Sequence, residues 1–268
     1  MKAIKIQLFD FSSPAMRSFH LSWMALFLCF FAWFGMAPLM SVVRDELLLT
    51  QSQIGNLIIA SVLATIVGRL FFGWLCDQIG PRLAYTYLLI LGSIPVMGIG
   101  FAESYESFLI FRLLIGLIGA SFVITQYHTS IMFNDKVIGT ANALTAGWGN
   151  LGGGAAQIAI PLLFSLFVGY GLSTALSWRI TMLFIGLLCL CMGIAYFFLT
   201  QDTPNGNFKE LRERGDLVKA KNNKGAFFEA CKDSRVWGLF IIYGSCFGVE
   251  LTINNIAALY FMDYFHLS

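Results

Sequence analysis

A chain of 268 residues that is 57% hydrophobic, only 12% charged and of mean hydropathy +0.74 lies far from the roughly 25% charged residues of soluble domains, and is read as an integral membrane protein. Its net charge of +2 comes from basic residues scattered through short hydrophilic stretches, which argues against a nucleic-acid partner. The six cysteines are expected as free thiols, and the absence of a metal-ligand cluster, a nucleophile with its base or a phosphate loop argues against a metal, a cofactor and an enzyme.

Taken in order at about 20 apolar residues per crossing, the sequence predicts seven spans: 22–43, 54–75, 83–102, 107–131, 139–168, 178–199 and 236–262. A polar segment, 1–21, precedes them, and it lacks the pattern of a cleavable signal peptide. The second span starts at a capping-box pattern, Thr50-Gln51-Ser52-Gln53. The fifth is longer than a bilayer requires. It carries Ala146-Gly147-Trp148-Gly149-Asn150-Leu151-Gly152-Gly153-Gly154, five glycines among nine residues, which makes sense where a helix or a ligand must approach the backbone closely. Between the sixth and seventh spans, 201–235 is the only long hydrophilic stretch, and it reads as a linker with short surface helices. The chain therefore divides into an N-terminal segment (1–21), a six-helix half (22–200), a linker (201–235) and the first helix of a second half (236–268).

Orientation follows from the basic residues. Lys2, Lys5, Arg17, Arg82, Lys136 and the eight of 209–235 fall on one side, against only Arg44 and Arg179 on the other. The positive-inside rule then predicts a cytoplasmic N-terminus in a multi-pass protein of the cell membrane, plasma or inner.

Arg69, well inside the second span, is the strongest chemical signal. An arginine there costs roughly 2.5 to 3.5 kcal/mol on insertion scales, so it is expected to face a cavity or a partner. A planar guanidinium can grip an oxyanion through paired hydrogen bonds; the competing reading is a salt bridge to Glu250. In the seventh span Tyr243, Phe247, Glu250 and Asn254 share one helix face, which makes Glu250 a candidate proton carrier or a fixed counter-ion. His128 is a second protonation candidate. Arg112, placed near a span end, is open to snorkelling toward water.

Gly73, Asp77, Gly80 and Arg82 form the pattern G-x-x-x-D-x-x-G-x-R, which resembles the signature loop of the major facilitator superfamily. The resemblance implies a helical-bundle transporter in which this loop is a conformational latch. Arg112 to Gly116 is similar to another motif of that superfamily. The glycine stretch of the fifth span resembles the nitrate signature of the nitrate/nitrite porter family. Phe19–Trp23, Gln126–Asn134, Gln201–Asn207 and Tyr243–Leu251 are similar to further blocks of that family, as found in high-affinity nitrate transporters.

That resemblance implies an all-α polytopic membrane protein built as a major-facilitator-type bundle, a six-helix N-terminal half plus a seventh helix. It implies Arg69, Tyr127, Gly147, Gly149, Asn150, Tyr243 and Phe247 around a nitrate or nitrite anion. It also implies a C-terminal half, carrying a second arginine, beyond Ser268. The expected function is nitrate uptake by alternating access, coupled to protons. Nitrate/nitrite exchange, another major-facilitator substrate and a seven-helix receptor or sensor stay open as alternatives.

Overall fold

In a bilayer every backbone polar group needs a partner within the protein, and seven helices of 21 to 32 residues meet that demand here. The computed structural model describes residues 2–216 and 226–265. Its spans run Pro14–Phe34, Gln51–Ile79, Pro81–Phe101, Tyr105–Met132, Ile138–Gly169, Thr174–Leu199 and Ser234–Phe265, an all-α membrane bundle. The fifth, at 32 residues, is about 48 Å long at 1.5 Å per residue. The capping box expected at Thr50 is present, with Gln53 as its second member.

Six spans fall within a few residues of their expected places, but the first does not. It begins at Pro14, capped by Ser13 accepting from the Met16 amide at 3.3 Å, and ends at Phe34 instead of running 22–43. Its polar start is sheltered: Phe11 stacks on His20 with ring centroids 4.5 Å apart, and Phe19 packs edge-on against Phe133 and Trp148. The chain turns through residues 35–39 and resumes as a short helix, Met40–Glu46.

A helix ending inside the apolar layer leaves carbonyls to satisfy, and Arg112 supplies a donor. Its Nη1 lies 3.2 Å from the Trp33 carbonyl, and the side chain is buried, so Arg112 does not snorkel as the sequence suggested. A cation at the last turn suits both the free carbonyl and the negative end of the helix dipole. The Trp33 indole in turn donates to the Ser61 carbonyl at 3.2 Å, joining the first span to the second.

The second and fourth spans touch through small residues. A side chain on Gly116 would collide with the Ser61 carbonyl, and Thr65 donates its hydroxyl to the Gly116 carbonyl at 2.6 Å. The first span also packs along the fifth, and the third along the sixth. Deep in the body, the Tyr196 hydroxyl meets Ser22 at 2.9 Å and His128 Nδ1 at 2.5 Å, while His128 Nε2 reaches the Gln201 carbonyl at 2.8 Å. A carbonyl only accepts, so Nε2 carries a proton, and in the neutral imidazole Nδ1 accepts from Tyr196.

Asp202 ties the start of the linker to the bundle. One carboxylate oxygen accepts from the Arg82 amide at 2.8 Å and the other from the Phe208 amide at 3.0 Å, so one side chain caps both the third span and the short helix Phe208–Glu213. Burial pushes the Asp202 carboxyl above the ordinary aspartate range, and the amides of Phe208 and Arg82 pull it back. Because its folded-state value is raised, this group favours folding in acid, and that contribution is lost as pH rises through the folded value. Asp202→Asn puts an NH2 against one of the two amides and is expected to cost about 1 kcal/mol. Faster hydrogen exchange at the Arg82 or Phe208 amide is the measurement that checks it.

Candidate functional site

Arg69 enters the middle of the bundle from the second span, and what surrounds it is aromatic rather than acidic. Its guanidinium carbon lies 5.4 Å from the Phe247 ring centroid and 6.0 Å from that of Phe122. Tyr243 stacks on Phe247 at 5.4 Å and 17°, and it interacts electrostatically with the guanidinium. Phe30 of the first span closes on Phe247 at 6.3 Å.

Arg69 Nε and Nη2 are buried without a hydrogen-bond partner. Among the described residues no carboxylate forms an ion pair with Arg69, and the salt bridge to Glu250 weighed from the sequence is absent. Two desolvated donors on a cation flanked by rings are costly to leave unmet. Ring faces flank the guanidinium, Tyr243 interacts with it, and Nε and Nη2 keep unpartnered N–H bonds, a geometry that suits a small planar oxyanion.

The structure places Tyr243 and Phe247 beside Arg69. Tyr127 is placed elsewhere: its hydroxyl donates to Asp77 at 2.9 Å, about 12 Å along the second span from Arg69 at eight residues of 1.5 Å. The fourth-span aromatic facing Arg69 is Phe122, which sequence reasoning missed. The signal lay in the pairing of the two spans. A side chain on Gly119 would meet Thr65, so Phe122, three residues further, lies level with residue 68, next to Arg69.

The glycine stretch has two faces. Side chains at Gly149 and Gly152 would collide with Leu26 and with the Phe27 carbonyl, and one at Gly153 would press on the Phe34 ring at 3.0 Å. Gly147 and Gly154 meet nothing within 4 Å. Asn150 flanks that open face, with its Oδ1 buried and unpartnered. Gln157 donates to the Asn254 carbonyl at 3.1 Å, joining the fifth span to the seventh. Both run the same way, so Asn150 and Phe247, each seven residues back from that bond, lie at one level. Glu250 is half-buried one turn beyond Phe247 and interacts electrostatically with Tyr243.

Gly73, Asp77, Gly80 and Arg82 gather at the end of the bundle near the linker. Asp77 holds the Tyr127 hydroxyl, and Arg212 donates to the Asp77 carbonyl at 3.3 Å. Gly80 has φ +89°, and the Asp202 carboxylate fills the space a side chain there would need. Arg82 donates to the Phe197 carbonyl at 3.0 Å and lies 4.8 Å from the Phe197 ring centroid. Gly73 faces Val123 across the second and fourth spans. His128 lies in the hydrogen-bond network with Tyr196 and Gln201 described above.

Residues 22–268 match the family model for the Major Facilitator Superfamily. The chain is 41% identical over 266 residues to High affinity nitrate transporter 2.5 of Arabidopsis thaliana, covering 99% of this chain and 53% of that protein. It is 36% identical over 272 residues to Nitrate transporter 2.1 of Chlamydomonas reinhardtii, covering all of this chain and 49% of that one. It is 34% identical over 212 residues to Nitrate/nitrite transporter NrtP of Nostoc punctiforme, covering 79% and 42%. The chain thus spans about half the length of the curated relatives it matches. Among solved structures, a bacterial homolog to the human lysosomal transporter Spinster, in an inward-facing and unoccupied conformation, superposes with a TM-score of 0.74 at 16% identity, over 96% of this chain and 57% of that one, which is a likeness of fold. A bundle of seven spans, the loop pattern of Gly73, Asp77, Gly80 and Arg82 and a family match over nearly the whole length lead to one assignment: this chain belongs to the Major Facilitator Superfamily, a family of transporters and not of enzymes.

Proposed function

We propose that this chain is the N-terminal half, with one further helix, of a transporter that carries nitrate, and also nitrite, across the cell membrane by alternating access. The observation that carries the reading is Arg69: a mid-bilayer guanidinium with two buried, unpartnered N–H-bearing nitrogens and aromatic rings, not carboxylates, around it. Nitrate is flat, singly charged and weakly hydrated, and it matches paired N–H donors between ring faces. Similarity to nitrate transporters of a plant and an alga supports the same anion. In this reading Asn150 and Gly147 approach the anion from the fifth span and Tyr243 and Phe247 from the seventh, with Phe122 and not Tyr127 as the fourth-span ring, while Gly149 lets the fifth span pack on Leu26. The second half, with its own arginine, completes the site.

The N-terminus and linker are cytoplasmic in this proposal, as the distribution of basic residues requires. Bringing one anion into a cell negative inside then costs about 2.3 kcal/mol per 100 mV, so uptake requires more than one proton per anion or exchange against an internal one. Glu250 is the proposed proton carrier, since it lies one turn from Phe247 with no ion pair among the described residues. His128 is the weaker candidate, because both ring nitrogens are occupied.

Electrode-detected nitrate flux in cells expressing the whole protein tests the reading. Nitrite should compete and sulfate and sugars should not; flux that sugars suppress, or no nitrate flux at all, would overturn it. Glu250→Gln should uncouple proton entry from nitrate entry, and unchanged coupling would remove Glu250 from the mechanism.

A further inference from the structure

The seventh span touches the six-span body over only part of its length. Every described residue from 232 to 246 is exposed, whereas Phe247, Asn255 and Leu259 are buried. Near the far end of the helix, Arg44 Nη1 lies 2.9 Å from one carboxylate oxygen of Asp263 and 3.0 Å from the other. Among the described residues this is the only ion pair between the seventh span and the body.

Arg44 belongs to the short helix Met40–Glu46, which the turn at 35–39 separates from the first span. The same short helix is held from the other side by Glu46, which accepts from the Trp178 indole at 2.7 Å and pairs with Arg179 at 2.5 Å. It therefore bridges the sixth span, through Glu46, and the seventh, through Arg44.

We propose that Arg44 and Asp263 form the outer gate bond of the transporter, made while the seventh span leans on the body at this end and broken when the helices rock to open it. The proposal rests on the alternating-access reading above. Phe247, seated between Phe30 and Arg69, is the pivot: contacts with the body run from Tyr243, one turn before it and against Phe122, toward the outer end. The pair is suited to being broken in every cycle. Its side chains are 25% and 34% exposed, so water competes for both partners. Arg44 also has Asp45 at 3.3 Å, which keeps the guanidinium partnered after Asp263 departs.

The test uses the whole protein with its native cysteines replaced by alanine and Asn254→Cys as a reporter behind the gate. Labelling by a membrane-impermeant maleimide added outside is the readout. Arg44→Asp and Asp263→Arg, each alone, should speed labelling several-fold, and the two together should return it toward the parent rate. Unchanged labelling in the single variants, or a swapped pair no slower than either of them, would overturn the gate. Should the single variants fail to reach the membrane, Arg44→Cys with Asp263→Cys decides the matter: a short bismaleimide should cross-link them efficiently and lock the reporter away from the outside, and absence of cross-linking would overturn the proposal. Labelling needs no nitrate, so a failed nitrate assignment would show in flux while leaving the gate result intact.

Discussion

Arg69→Lys is expected to raise the nitrate concentration needed for half-maximal uptake by about 10- to 100-fold while leaving the protein in the membrane at its usual level. Lysine keeps the positive charge, so long-range attraction of an anion survives. What is lost is the planar fork: a hydrogen bond to a charged group contributes about 1.5 to 3 kcal/mol, and about 1.4 kcal/mol is tenfold in affinity. The ammonium also cannot stack between Phe122 and Phe247, whose ring centroids lie 6.0 and 5.4 Å from the guanidinium carbon. The concentration dependence of uptake, measured beside the amount of protein in the membrane, is the decisive experiment. Retained high-affinity uptake would show that charge alone suffices and would sink the argument from the planar group.

The second large effect is a contrast within one glycine stretch. Gly152→Ala is expected to destabilise the bundle by about 1 to 3 kcal/mol, because its Cβ would enter the Phe27 carbonyl and a backbone cannot step aside as a side chain can. Gly147→Ala and Gly154→Ala put the same atom into open space and should be neutral or stabilising, by up to about 1 kcal/mol, since alanine is the better helix former. The thermal unfolding temperature of the purified protein in detergent should therefore fall for Gly152→Ala and hold or rise for Gly154→Ala. Uptake separates the roles further. If Gly147 lets the anion approach the backbone, Gly147→Ala lowers nitrate uptake without loss of stability, an outcome that a purely structural glycine does not produce.

Some of this architecture is legible in the amino-acid sequence. Runs of apolar residues as long as a bilayer is thick mark spans on their own, because the solvent constrains each helix individually. Arg69 stood out for the same reason, as its cost of insertion is a property of one residue in one helix. Tyr243 and Phe247 were legible through helical spacing. The start of the first span was not, because the polar, mixed stretch up to His20 argues against a span there; in the fold Phe11 stacks on His20 while Arg17 stays exposed.

By itself, then, the sequence determined the count of spans, the superfamily pattern of the latch loop and the presence of one costly mid-membrane cation. Only the tertiary structure decided that Phe122 and not Tyr127 faces that cation, that Arg112 caps a broken helix instead of snorkelling, and that Arg44 reaches Asp263 across 219 residues. The physical reason is common to all three. A helix that is apolar nearly all round carries no periodic signal of its rotation, so which face meets which neighbour is set by interlocking glycines and side chains on separate spans, information that exists only once the helices are packed.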